Sequence, residues 1–180
     1  MTQLTETDAA PKLKPAFVEP CNSYAEIKAQ QIAKAGISSP SAFKVRAQLL
    51  ERGRTDAVLA ASKHLTLRLK VYASGGENVL HAHMNEDHFF VILDGTADFY
   101  GEDGLMARLG KYEGIMLPQG SRYSFMATSK EPLVMLRAGS PNENFLGLEG
   151  RVDAFGALTH PDTKKEPEAG VTFIPNRFFG

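Results

Sequence analysis

The segment HAHMNEDHFFVILDG spans residues 81–95 and holds three of the chain's five histidines, His81, His83 and His88. Alternate residues of a β-strand project from the same face, about 7 Å apart along the backbone, so His81 and His83 are expected side by side. The turn-forming residues 84–87 predict a hairpin that brings His88 across from His83. Three neutral imidazoles on two adjacent strands can bind one cation and leave positions open for a substrate. The segment therefore predicts a metal site, in preference to a polar hairpin without a ligand.

Two carboxylates beside the third histidine are alternative ligands. Glu86 and Asp87 directly precede His88, and either oxygen donor could take the place of its imidazole at a divalent cation. The remaining histidines, His64 and His160, have no partner nearby in the sequence and are interpreted as structural or exposed.

Short β-rich runs follow one another from His64 to about residue 139. The first, HLTLRLKVY at residues 64–72, alternates its side chains with the period of two expected of a strand. Turn-forming residues separate the later runs, and no helical run interrupts them. The expected architecture is all-β with N-terminal helices, in which residues 64–140 form an antiparallel sandwich or barrel.

The residues before this region favour an arm followed by helices. Residues 1–22 are polar and interrupted by prolines, which predicts an extended arm. In residues 23–63, Ser23 and Glu26 have the spacing of a capping box, which predicts a helix. A second helix is predicted from Pro40, although the residues that follow it also alternate like a strand.

The last section, residues 141–180, is rich in proline and ends in the apolar sequence VTFIPNRFFG. Apolar surface is unfavourable in water. This extended tail is therefore expected to pack on the barrel or on a partner subunit.

Composition argues against several classes of protein. The formal net charge is −1, and the basic residues are scattered, unlike those of a nucleic-acid-binding surface. No run approaches the roughly 20 apolar residues that span a bilayer, and the N-terminal residues lack the apolar stretch of a secretory signal. The single cysteine, Cys21, excludes an internal disulfide. The expectation is a cytoplasmic protein that binds neither nucleic acid nor membrane.

The histidine segment and its flanks resemble the first sequence motif of the cupin superfamily. The matching positions are Gly75, His81, His83, His88 and Gly95. His88 stands where the family usually has a glutamate, which is a departure from the pattern.

A weaker likeness, to the second cupin motif, lies in YEGIMLPQGSRY at residues 112–123. Pro118 and Gly120 are in register with that motif, whereas its frequent Gly-Asp pair is absent. Tyr123 stands where the last histidine ligand normally lies. The resemblance implies a jelly-roll barrel that holds a metal ion through His81, His83, His88 and Tyr123.

Two roles are open to Tyr123. A phenol has a pKa of about 10, and a bound cation can favour the phenolate as a direct ligand. Alternatively, a neutral phenol lines the pocket as a hydrogen-bond donor or proton shuttle, which is a catalytic role.

Strand parity predicts further pocket residues. From His88, the inward positions continue to Phe90 and Ile92, and Met116 and Phe125 are predicted on the same inner surface. These side chains suit a compact apolar or aromatic substrate. Three basic residues are expected to reach an anionic or oxygen-bearing end of that substrate: Arg68, Lys70 and Arg137.

The leading hypothesis for function is an Fe(II)-dependent dioxygenase that acts on a small organic substrate. A neutral three-histidine face with open positions resembles the sites of cupin dioxygenases, and Zn, Mn or Ni are alternative metals. One alternative is a non-redox lyase, isomerase or decarboxylase that uses its metal as a Lewis acid. Another is a cupin that binds a small ligand without catalysis.

A homodimer is also expected. Phe89, Val91 and Leu93 form a second apolar face on the strand that follows His88, so both faces need a cover. The N-terminal helices or a partner subunit could supply it. Since cupins commonly dimerise, the resemblance implies the same.

Overall fold

The computed structural model describes residues 13–21, 23–73, 78–141, 150–158 and 170–180. This part of the chain contains one helix and twelve strands. They are α1 (Tyr24–Ala35), β1 (Ala47–Arg52), β2 (Arg54–Ala61), β3 (Thr66–Tyr72), β4 (Asn78–His83), β5 (Glu86–Asp94), β6 (Ala97–Gly101), β7 (Gly104–Leu109), β8 (Gly114–Leu117), β9 (Tyr123–Ala127), β10 (Leu133–Pro141), β11 (Arg151–Asp153) and β12 (Thr172–Phe179).

Two five-stranded antiparallel sheets form the body of the molecule. The first has the order β2-β3-β10-β5-β8 and the second the order β11-β4-β9-β6-β7. Their inner faces meet in an apolar core to which both sheets contribute, including Phe90 and Ile92 of β5, Phe99 of β6 and Phe125 of β9. The predicted all-β sandwich is confirmed. Its sheets also take in β2 and β11, which lie outside the predicted limits of residues 64–140.

A third, two-stranded layer covers part of the outside of the first sheet. Strands β1 and β12 pair antiparallel, and Leu49, Leu50 and Phe173 pack against Leu69 and Val134 on the outer face of that sheet. The cover that β5 was expected to need therefore comes in part from strands of the same chain. The predicted N-terminal helices do not supply it.

The first predicted helix is present and the second is not. Ser23 accepts a hydrogen bond from the Glu26 amide, and the Glu26 side chain accepts one from the Ser23 amide, which completes the capping box of α1. The helix predicted from Pro40 is wrong, because Ala47–Arg52 forms β1. The alternative prediction, a strand, is correct in this segment, because burial against the sheet and pairing with β12 stabilise an extended chain. The segment of residues 23–63 is therefore part helix and part strand.

The predicted hairpin at residues 84–87 is wrong as well. Strand β4 belongs to the second sheet and β5 to the first, so the chain crosses from one sheet to the other at Met84 and Asn85. The Met84 amide donates to the Gly150 carbonyl at 2.9 Å, beside β11. His83 and His88 consequently face each other across the interior of the sandwich, not along a hairpin.

Two expectations concern residues outside the described ranges. They are the glycine of the first motif, Gly75, and the isolated His160. Within those ranges, His64 is exposed, as expected. No helix in the described part of the chain is both long enough and apolar enough to cross a membrane.

Candidate metal centre and its cavity

Four predicted ligand side chains meet between the two sheets. His81 and His83 lie on β4, Tyr123 lies opposite His81 on β9, and His88 faces them from β5. All four are buried, and the most exposed, His83, retains only 5% of its accessible surface. The four residues predicted as ligands from the sequence therefore lie close together between the two sheets.

The spacing of the rings suits a shared cation. The ring centres of His81 and His83 are 5.2 Å apart, and those of His83 and His88 are 4.9 Å apart. Two imidazoles bound to one metal at about 2.1 Å have ring centres roughly 4.5–5.2 Å apart, depending on the angle between the bonds.

The hydrogen bond of His81 prepares this side chain as a ligand. Its Nδ1 lies 2.7 Å from the carbonyl oxygen of Val79. Because a carbonyl can only accept, Nδ1 carries the proton and Nε2 keeps its lone pair. A backbone carbonyl on the far nitrogen is the usual support of a metal-binding histidine.

The other two imidazoles differ in their partners. Nδ1 of His83 is buried without a hydrogen-bond partner among the described residues, and lies 3.4 Å from a Glu86 oxygen. Nε2 of His88 lies 3.1 Å from the Tyr123 hydroxyl. That distance fits a hydrogen bond. It also matches the separation of about 3 Å expected between neighbouring ligand atoms of an octahedral metal site.

In this structure the imidazole rings are not oriented to form a complete metal site. Among the described residues, no three His, Cys, Asp or Glu side chains are arranged to hold a metal ion as they stand. The donor set nevertheless fits a transition metal, because the ring spacing is suitable and a buried His83 nitrogen lacks a partner. Binding would require the imidazoles to rotate, and His88 to exchange or share its contact with Tyr123.

Burial keeps the imidazoles neutral. It lowers the pKa of His81 to about 3, assisted by the Arg151 cation, and that of His88 to about 2, assisted by Arg137. The pKa of His83 is also held well below its usual range, by burial first and Arg137 second. Neutral imidazoles are the form that binds metals. Burial also raises the pKa of Tyr123 to about 12, so its phenol is protonated.

The two rival carboxylates point to opposite sides of β5. Asp87 is exposed and accepts a hydrogen bond from the Gln119 amide. Glu86 points inward, pairs with Arg137 and approaches His83. Glu86 thus lies beside the imidazoles and is already neutralised by Arg137.

A cavity opens from the imidazoles towards the edge of the first sheet. Its empty volume, with the open mouth included, is about 660 Å³. Helix α1 places Tyr24 and Ile27 at this cavity, and Cys21 lies buried beside them. The polar wall consists mainly of cations and one carboxylate, namely Arg54, Asp56, Arg68, Lys70, Arg137 and Arg151.

One carboxylate serves two of these cations. Arg68 donates to both oxygens of Asp56, at 3.1 and 2.5 Å, and Lys70 donates to the second of them. Burial alone would raise the pKa of Asp56, but Arg68 and Lys70 outweigh it and hold that pKa below its usual range. Burial lowers the pKa of Lys70 to about 7 in spite of Asp56, with Arg68 and Arg137 acting in the same direction as burial.

The predicted pocket residues have different outcomes. The basic residues Arg68, Lys70 and Arg137 line the cavity, and so does Phe90. Ile92 and Phe125 point inward as predicted, but they are fully buried in the apolar core beyond the cavity. The cavity therefore combines a cationic wall with aromatic and aliphatic side chains, among them Tyr24, Ile27 and Phe90.

Met116 does not belong to the pocket and is 57% exposed. It lies directly opposite Phe89 in the β5–β8 pairing, whereas Phe90 lies opposite Ile115. Residues directly opposite each other share a face. The parity assigned to β8 was therefore off by one, and Met116 lies on the outer surface with Phe89.

Three charged residues of the cavity were not predicted from the sequence. Asp56 and Arg54 lie on β2, in a segment predicted as helical, where strand alternation would have placed them on one face with Val58. Arg151 lies on the short β11, beyond the predicted barrel, and no sequence pattern marks it. For Glu86, counting back two residues from His88 would have shown an inward position.

Two antiparallel sheets with histidines buried between them define a jelly-roll protein with a candidate metal centre. The family model described as the cupin domain matches residues 68–139. This part of the chain is a cupin domain.

Solved structures of other proteins are similar to about half of the chain. KdgF from a Halomonas species is 18% identical with a TM-score of 0.46, over 51% of this chain and 83% of that one. The Cnp3 cupin domain of Schizosaccharomyces pombe has the same identity and TM-score over 49% and 65%. A putative sugar phosphate isomerase from Acidithiobacillus ferrooxidans is 20% identical with a TM-score of 0.45 over 50% and 60%. No protein of curated function matches the chain.

Proposed function

We propose that the protein is a metal-dependent cupin enzyme, with His81, His83 and His88 as ligands and Tyr123 beside or among them. The observation that carries this proposal is the meeting of four buried side chains between the two sheets, with every imidazole neutral. Three of them, His81, His83 and Tyr123, line the cavity. Buried neutral imidazoles on opposing strands suit iron, zinc, manganese or nickel, and Fe(II) is favoured here.

A dioxygenase acting on a small enolisable substrate is the reaction that we favour. When bound, Fe(II) would supply Lewis acidity together with redox chemistry towards dioxygen. The protein would orient His81 through Val79 and hold a proton on Tyr123, 3.1 Å from His88. Phe90 and the flanking core would exclude water from that end of the cavity.

The reaction class can be tested by oxygen uptake. The metal-free protein would be loaded with Fe(II) or with Zn(II) and given small β-diketones and 2-oxo acids as probes. We expect oxygen consumption that depends on both Fe(II) and the probe, and that is lost in His83→Ala. Unchanged product formation without oxygen would contradict a dioxygenase.

A non-redox lyase or isomerase is the second candidate, and one observation favours it. Lys70, whose pKa is about 7, and the protonated Tyr123 line the same cavity. Groups with a pKa near the working pH are suited to general acid–base catalysis. Equal turnover with Zn(II) and Fe(II) under anaerobic conditions would support this reaction instead.

A further inference from the structure

We propose that the cavity takes a small carboxylate-bearing substrate, whose carboxylate binds beside Asp56, Arg68 and Lys70 while its other end faces the imidazoles. This inference rests on the proposed function only in placing the reacting end of the molecule at the histidines. Charge and strand geometry, without the metal, define the anion-binding end of the cavity.

The charges around Asp56 do not balance. Arg68 and Lys70 both donate to this single carboxylate, and the three side chains are 5%, 8% and 5% exposed for Arg68, Lys70 and Asp56 respectively. When Lys70 is protonated, the two cations exceed the one carboxylate by one positive charge. Because burial lowers the pKa of Lys70 to about 7, this surplus is present below that pH and weakens above it. A buried charge is costly unless a partner of opposite sign joins it. An anion in the cavity would be that partner.

The neighbouring cation Arg137 does not share in the surplus. It pairs with Glu86 on the side of the cavity nearer to His83, and this pair is balanced. The imbalance is thus located at the β2–β3 edge of the sheet, away from the histidines. Arg54, half-buried on the same edge, donates to the side-chain oxygen of Asn78 at 2.9 Å.

Strand register determines the distance between the imidazoles and the anion-binding end of the cavity. Gly139 of β10 lies opposite His88 of β5 and opposite Thr66 of β3, so the backbones at His88 and Thr66 are about 10 Å apart across the sheet. Arg68 is two residues further along β3, which adds about 7 Å along the strand and gives roughly 12 Å between the backbones at His88 and Arg68. Arg68 lines the cavity, as do His81 and His83, and the His83 ring meets that of His88 between the two sheets. The remaining gap fits a molecule of a few carbon atoms.

The surplus of one charge favours a carboxylate over a phosphate. A carboxylate carries a single negative charge and would balance the Asp56–Arg68–Lys70 group. A phosphate dianion would replace a buried surplus of one sign with a surplus of the other. The low pKa of Lys70, about 7, agrees with a cation that is only partly compensated before an anion binds.

Binding of simple anions to the full-length protein tests the inference. Propionate and pyruvate, which carry one carboxylate each, would be titrated calorimetrically against the metal-free and the Fe(II)-loaded protein, alongside propionamide, pyruvamide and inorganic phosphate. We expect the carboxylates to bind more tightly than their amides and than phosphate. Amide binding equal to carboxylate binding, or phosphate binding that is tighter, would overturn the assignment.

The matched variants are Lys70→Met and Lys111→Met. Lys70→Met removes the surplus charge and leaves the Arg68–Asp56 pair intact, so it should fold. Lys111→Met removes one charge from the surface, where Lys111 is 3.7 Å from Asp94. We expect carboxylate affinity to fall about tenfold or more in Lys70→Met, because a charge-assisted hydrogen bond is lost. It should not change in Lys111→Met. Equal affinities in both variants would refute the site.

A third variant separates this inference from the proposed function. His83→Ala should lose metal and keep carboxylate binding in the metal-free comparison. Carboxylate binding by a wild-type protein that holds no metal after reconstitution would refute the metal enzyme and leave the anion site standing. A metal-loaded protein that binds no carboxylate would refute the anion site alone.

Discussion

Tyr123 is the site residue whose role depends most on a single atom. Its hydroxyl lies 3.1 Å from His88 Nε2, and burial raises its pKa to about 12. We expect Tyr123→Phe to keep its metal, since three imidazoles remain and the phenol is neutral, and to lose turnover. Metal analysis and the visible spectrum of the ferric protein measure the two roles separately.

A ligating phenolate would give different results. The ferric wild-type protein would then be coloured by charge transfer, and Tyr123→Phe would lose both the colour and the metal. Wild-type metal content together with wild-type activity in Tyr123→Phe would leave the residue a packing role only.

Lys70 makes the stability of the metal-free protein depend on pH. Burial lowers its pKa from the usual value of 10.5 to about 7, and Arg68 and Arg137 act in the same direction. Asp56 opposes this shift. The Lys70 ammonium group also lies over the Tyr72 ring. Between pH 7 and 10.5 the unfolded chain binds more protons at this residue than the folded chain. The contribution of Lys70 to stability is therefore lost as the pH falls from about 10.5 to 7.

Thermal melts of the wild type and Lys70→Met at several pH values check this linkage. We expect the melting temperature of Lys70→Met, relative to the wild type, to be higher at pH 6 than at pH 10. The same difference at both values would show that Lys70 does not titrate in this range. Comparing the two proteins at each pH cancels the titration of the other groups.

The three histidines could be predicted as ligands from the sequence because their spacing is local. His81, His83 and His88 lie within eight positions and follow strand parity. Asp56 and Arg151 come from distant strands, and only the fold brings them to the cavity. Met116 was also predicted on the wrong face of β8, because the alternation of side chains was counted one residue out of step.

At the level of elements, the errors came from segments in which two patterns compete. The residues after Pro40 fit both a helix and a strand, and tertiary burial decided for β1. Turn-forming residues 84–87 suggested a hairpin, yet β4 and β5 belong to different sheets. Local sequence indicates that a chain turns, but not which strand pairs with which. Capping of α1 could be predicted because it depends on residues three apart.

Strand β12 is expected to stabilise the barrel through β1. Its side chains Phe173, Ile174 and Phe179, together with Val171, pack half-buried on the outer core. Deleting residues 171–180 should lower the free energy of unfolding by about 3 kcal/mol or more, at about 1 kcal/mol for each half-buried apolar side chain. Chemical denaturation of the shortened and complete chains measures the difference.

A pair of point variants controls for general effects of the deletion. Phe173 packs on the core, whereas the neighbouring Phe178 is 40% exposed and lies under Arg46. Phe173→Ser should destabilise the protein clearly more than Phe178→Ser. Equal losses, or a deletion without effect, would mean that β12 does not hold β1 in place.

Within the part of the chain that the structure describes, an apolar surface is exposed on the outer face of the first sheet. Phe89 and Met116 lie opposite each other on its outer face and are 38% and 57% exposed. We expect a homodimer formed through this face, because exposed apolar patches commonly mark interfaces. Light scattering of the eluting protein should give twice the chain mass, and Phe89→Ser combined with Met116→Ser should shift it towards one.

Met126 offers a matched control for the dimer. It is 52% exposed on the opposite sheet, so Met126→Ser should leave the mass unchanged. A wild-type protein that elutes as a monomer at all concentrations would exclude the proposed interface. A dimer that persists in the double variant would place the interface elsewhere.

The metal content of the purified protein is the most decisive measurement for the proposed metal centre. Elemental analysis would compare the wild type with His81→Ala combined with His83→Ala, and with His64→Ala, which removes an exposed histidine. We expect about one transition-metal ion per chain, with iron favoured, in the wild type and in His64→Ala, and almost none in the double variant. Stoichiometric metal in the double variant, or a wild type that holds no metal even after reconstitution, would contradict it.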